Sequence, residues 1–162
     1  MAAKFILPNE KELLRLLADM AGKKVEVKMS VPWIPTSDSP MNIATYVEDS
    51  GAIGVICLCD ISAGASIGAS LTRIPVGVMK DDIDAKKLSD SLLDNLREVL
   101  NICASLLNTV PSSPHLRLHT VFSVPPVPPE EVLSLITSPV SRLDFEIAVE
   151  SYGKGKLSFL SR

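Results

Sequence analysis

The sequence predicts an α+β fold with a mixed, largely antiparallel sheet and long packed helices. Three observations carry this. Alternating polar and apolar runs come in adjacent pairs around short turn signals, the pattern of hairpins. Segments with an apolar residue every three or four positions cluster between those pairs, so hairpins outnumber crossovers. Hydrophobic residues make up 46% of the 162 positions and aromatics only 4%, so the core must be built from Leu, Ile, Val and Ala. A chain of this length suits one domain spanning 1–162, because two would each be small.

The first helix is expected over Glu10–Ala21. Asn9 can cap it, Glu10 and Glu12 suit its first turn, and Gly22 is a natural stop. Lys24–Val31 alternates Val25, Val27, Met29 and Val31 with Lys24, Glu26, Lys28 and Ser30, a half-buried strand. Pro32–Pro40 is read as a loop. It holds Trp33, which is either an anchor for a partner or a loop residue tucked onto the core.

Asn42–Glu48 and Ala52–Cys59 read as a hairpin around Asp49-Ser50-Gly51. The second run is apolar almost throughout, so it is expected as a central strand covered on both faces, with Gly54 allowing close approach. Ser62–Thr72 is a small-residue helix whose Gly64 and Gly68 are spaced as a packing face, not as a phosphate loop. Leu116–Val124 is strand-like, with His119 on its polar side, where an ordinary surface histidine is the expected reading. After Pro125–Pro129 come a short helix, Glu130–Thr137, and a second hairpin. That hairpin pairs Arg142–Glu150 with Lys156–Leu160 around Tyr152-Gly153-Lys154-Gly155.

The longest pattern runs from Asp84 to Asn108 and reads as one amphipathic helix. Leu88, Leu92, Leu96, Val99, Cys103 and Leu106 form an apolar stripe, widened by Leu93, Leu100 and Leu107. Asp81, Asp82 and Asp84 precede it and complement its N-terminal dipole. On the opposite side lie Asp90, Asp94, Glu98, Asn101 and Ser105. A solvated face accounts for such a ridge by pattern alone. Two details stand out: Asp94 and Glu98 are like charges four apart, and Asn101 is a weak helix former at mid-helix.

Several classes of function are disfavoured. The net charge of −3 with no basic run argues against nucleic acid as a partner. No apolar stretch approaches the ~20 residues a membrane span needs. The segment Met1–Leu7 is unlike a secretory signal. Cys57, Cys59 and Cys103 are an odd set of buried-looking thiols, which suggests small core residues in a reducing compartment, not a metal site. No Ser-His-Asp order, Cys-His pair, HExxH or CxxC stands out.

Asp94-x3-Glu98-x2-Asn101 is similar to the [Asp/Ser]-x3-Glu-x2-Asn signature of the CheC/CheX/FliY-type response-regulator phosphatases of bacterial chemotaxis. The order of elements resembles that family too. An N-terminal helix ending in Gly precedes a strand, and the hairpin SGAIGVICL (Ser50–Leu58) leads to a small-residue helix. The signature helix follows, and Gly155–Leu160 matches the closing strand run. One signature helix in a chain this size looks more like CheX than the two-site CheC. The chain departs in carrying Ser105 where members often have glycine.

The resemblance implies a cytoplasmic, homodimeric phosphatase with no cofactor of its own. Its substrate would be an aspartyl phosphate on a response-regulator receiver domain, which supplies the Mg. Asn101 would position the attacking water, Glu98 would pair with a receiver lysine, and Asp94 would support them. Two rivals remain: a non-catalytic module of the same fold that docks a receiver or flagellar-switch protein, and an unrelated α+β ligand-binding or scaffold domain.

Overall fold

A computed structural model describes residues 5–36 and 39–162. Met1–Lys4 of the N-terminal run and Ser37-Asp38 of the proline-rich segment lie outside the described residues. The elements are α1 (Glu10–Ala21), β1 (Val25–Met29), β2 (Met41–Val47), β3 (Ile53–Asp60), α2 (Ile61–Leu71), α3 (Val76–Ala85), α4 (Asp90–Leu107), β4 (Arg117–Val124), α5 (Glu130–Thr137), β5 (Ser141–Val149) and β6 (Gly153–Ser161). All six strands share one sheet in the order β1-β5-β6-β3-β2-β4, and every described pairing is antiparallel. Each half of that order has the same plan. An edge strand that follows a helix (β1 after α1, β4 after α4) lies beside a hairpin (β5–β6 or β2–β3).

Alternation along the strands separates two cores. On one face Tyr46, Val55, Cys57, Phe145, Leu157 and Phe159 meet Leu13 and Leu17 of α1, the small residues of α2 and the apolar stripe of α4. On the other, Met41, Ile43, Ile56, Leu58 and Leu160 meet Val132, Leu135 and Ile136 of α5. β3 is buried on both faces, as its apolar run predicts. Trp33 is half-buried against this second core. Its N–H donates to Asp144 Oδ1 at 3.1 Å, and its carbonyl accepts from Arg142 at 2.8 Å. Its place is that of a loop residue tucked onto the core.

The helix ends follow local chemistry. The Asn9 side chain accepts from the Glu12 N–H at 2.9 Å and Glu12 accepts from the Asn9 N–H at 3.1 Å, a reciprocal cap. Gly22 closes α1 at φ +63°. Asp60 caps α2 by accepting from the Ala63 N–H at 2.7 Å.

Four expectations need correction. The helix expected over Asp84–Asn108 is two helices, broken where Lys86 turns left-handed at φ +56°. Asp82 and Asp84 belong to the earlier helix. Asp82 Oδ2 accepts from both the N–H and the hydroxyl of Ser89 at 2.8 Å, tying the corner to the start of α4. The strand expected over Lys24–Val31 stops at Met29, and Met29 and Val31 are 49% and 75% exposed. β6 begins at Gly153, so Gly155 is a strand residue. A Cβ there would stand 2.3 Å from the Ala63 amide nitrogen, so only glycine lets the strand pass under the start of α2.

Candidate functional site

The candidate site is the outward ridge of α4. The helix is fixed against the molecule on three sides. Leu92, Leu96, Val99, Leu100, Cys103 and Leu107 are fully buried, and Leu106 is half-buried. Gly68 of α2 makes the close approach possible, since a Cβ there would lie 2.7 Å from the Leu92 carbonyl oxygen. Tyr46 of β2 donates its buried hydroxyl to the Leu100 carbonyl at 2.6 Å. Burial, with Cys103, Cys57 and Cys59 nearby, pushes that phenol well above its usual range, so it stays a neutral donor. The three thiols are free and buried; burial raises all of them, Cys103 to about 12. They are core residues.

This anchoring turns Asp94, Glu98 and Asn101 outward, and all three are exposed. Glu98 and Asn101 are one turn apart, so their Cβ atoms stand about 5–6 Å from each other. Asp94 is engaged, pairing with Arg97 at 3.7 Å. Both partners are at least half exposed, so this pair contributes at most about 0.5 kcal/mol. Among the described residues neither Glu98 nor Asn101 has a side-chain hydrogen bond or an ion pair.

The other asparagines of this helix differ sharply. Asn95 donates to the Gly68 carbonyl at 2.9 Å and to Thr72 Oγ1 at 2.8 Å, tying α4 to α2. Asn108, at the C-cap, donates to the Ala104 and Leu116 carbonyls at 3.0 and 2.8 Å and accepts from the Leu116 N–H at 2.9 Å. Those two carboxamides hold the fold, while the Asn101 carboxamide points outward with its hydrogen-bonding capacity unused by the chain.

Sequence reasoning missed Ile102. A mid-helix isoleucine reads as core, yet this one is 39% exposed beside Glu98. His119 is exposed on edge strand β4. Among the described residues no group of three or more His, Cys, Asp and Glu side chains could hold a metal ion, and no helix is long and apolar enough to cross a membrane.

No protein-family model matches the chain, and no curated protein matches it in sequence. Solved structures do match. The FliM middle domain from H. pylori superposes with a TM-score of 0.63 at 13% identity, over 94% of this chain and 84% of that one. CheX in the CheX–CheY–BeF3–Mg complex from Borrelia burgdorferi gives 0.58 at 15%, over 96% and 99%. The fold is that of the CheC, CheX and FliY proteins. Thermotoga maritima FliY agrees, at 0.56 and 13% over 92% of this chain and 82% of that one. The CheC/CheX/FliY fold expected from the order of elements is therefore present.

Proposed function

We propose that this protein is a phosphatase for the aspartyl phosphate of a response-regulator receiver domain. The observation that carries the reading is the pairing of Glu98 and Asn101. They sit side by side, outward and unengaged on α4, within the fold of CheX, a protein crystallised in complex with CheY, BeF3 and Mg. A chemotactic CheC-like protein from Shewanella oneidensis shares the fold as well.

An acyl phosphate is already reactive, so the enzyme's task is positioning. On docking, the Asn101 carboxamide enters the receiver site and holds a water in line with the phosphorus. The water oxygen attacks, and the bond from phosphorus to the aspartyl oxygen breaks. The carboxylate leaves as a weak base, and the water's proton passes to solvent. The leaving group needs no acid, which fits a ridge without a histidine. Glu98 pairs with a receiver lysine and sets the docked register. Asp94, neutralised in part by Arg97, supports the ridge from one turn earlier. A Mg ion, where the receiver holds one, would supply charge neutralisation at the phosphoryl oxygens, and no residue of this ridge is assigned to it. The reading includes a homodimer, to be checked by light scattering during size-exclusion chromatography.

The test is the lifetime of a phosphorylated receiver with wild type, Asn101→Ala and Glu98→Ala. Acceleration by wild type that both variants lose supports the reading. A second reading is a non-catalytic docking module. It is favoured by the FliM match, whose TM-score of 0.63 exceeds the 0.58 of CheX, and by FliM's complexes with FliG and SpeE. Binding without faster decay would select it.

A further inference from the structure

We infer that Ile102 is the apolar docking residue of the α4 ridge, seated in a depression of the receiver surface beside the lysine that meets Glu98. The inference rests on the receiver-phosphatase reading. It starts from which outward side chains of α4 the chain already uses. Asp94 is paired with Arg97, and Ser105 donates its hydroxyl to the Ile102 carbonyl at 2.8 Å. Asn95 is committed to α2. Past the first turn, where Asp90 and Ser91 are also free of side-chain partners among the described residues, Glu98, Asn101 and Ile102 remain unengaged.

At about 100° per residue, Asn101 and Ile102 flank Glu98, roughly 60° to one side and 40° to the other. The order across the ridge is amide, carboxylate, aliphatic. On α4 the other large aliphatic side chains are buried or half-buried, while Ile102 is 39% exposed. Val99 and Leu106 stand only about 60° and 40° from it round the helix, so Ile102 borders the core stripe, yet its side chain is left exposed on the Glu98 side.

The physical role follows from the weakness of an exposed ion pair. A glutamate and a lysine meeting in open water gain little and are screened by salt. An isoleucine beside the carboxylate, pressed against an apolar surface, excludes water from the pair and strengthens it. The matching partner presents an ammonium next to an apolar depression. Asn101 then governs the chemical step, while Ile102 governs docking.

The experiment titrates the protein against a phosphorylated receiver and against the same receiver treated with beryllofluoride. Ile102→Ala, Ile102→Leu and Asn101→Ala are compared, with circular dichroism confirming folding. For Ile102→Ala the half-saturating concentration should rise about tenfold and become more salt-sensitive, with the maximal rate within twofold of wild type. Ile102→Leu should restore binding, and Asn101→Ala should lower the maximal rate without moving half-saturation. An unchanged half-saturation for Ile102→Ala, or a loss confined to the maximal rate, overturns the inference while leaving the phosphatase reading standing. If wild type binds the beryllofluoride form without speeding decay, the phosphatase reading fails. The docking inference then stands or falls on whether Ile102→Ala weakens that binding. If wild type binds no receiver, both fall.

Discussion

Helices α1 and α4 occupy corresponding places in the two halves of the sheet, yet only one carries a candidate site. Each precedes an edge strand and packs beside it, and each buries a leucine completely, Leu13 or Leu96. Their inner faces are interchangeable in kind. Their outer faces are not. α1 presents Lys11, Arg15 and Asp19 at intervals of four, a row of mixed charge suited to solvent. α4 presents Asp94, Glu98 and Asn101 with Ile102 alongside. Amphipathicity alone therefore does not mark function. The difference lies in the kind of group: a carboxylate, a carboxamide and an exposed isoleucine stand together on α4, where the α1 row has only charged side chains.

The comparison can be pressed first where the helices should agree. Leu13→Ala and Leu96→Ala each remove a fully buried side chain, and each should lower unfolding free energy by about 2–5 kcal/mol in urea titrations. A cost below 1 kcal/mol for either would mean that its helix is not the anchor described. Next, the asparagines of α4 should separate. Asn95→Ala strips partners from the Gly68 carbonyl and Thr72 and should cost about 1–2 kcal/mol, with receiver dephosphorylation unchanged once folded. Asn101→Ala should leave stability within about 0.5 kcal/mol. The smallest effect belongs to α1, where Arg15→Ala and Asp19→Ala should alter neither stability nor receiver binding measurably.

A control lies on the far face of the sheet, away from both helices. Burial acts to raise the Asp144 carboxyl, but hydrogen bonds from Arg142, Ser158 and the Trp33 N–H, with the Arg142 charge, outweigh it. They hold it below its ordinary value of 3.8. A carboxyl held lower in the folded state stabilises the fold fully above pH ~4, and the contribution drains as pH falls through the folded value. The stability gap between wild type and Asp144→Asn should therefore be constant near neutrality and narrow below pH 4, as urea midpoints would show. A gap that widens with acid would contradict this assignment.

Much of the fold was legible because its signals are local. Asn9 and Gly22 bracket α1, Gly51 marks the first hairpin, and the unbroken apolar run of β3 marks a strand covered twice. What escaped depends on tertiary contact. Nothing about Lys86 announces a left-handed turn; Asp82 reaching Ser89 holds that corner. Gly155 resembles a turn residue until α2 is laid across it. The ridge residues were legible as a spacing, and their exposure agrees with it. Ile102 was not, because an aliphatic side chain on a helix is indistinguishable from core until its surroundings are known.

Asn101 is proposed to do chemical work that the fold itself does not require. That role is tested by the decay of one phosphorylated receiver at saturating protein, comparing wild type with Asn101→Ala. Wild type should shorten the phosphoryl lifetime. The variant, equally stable and still bound, should lose on the order of 100-fold of that acceleration. Equal decay rates for the two proteins would contradict it.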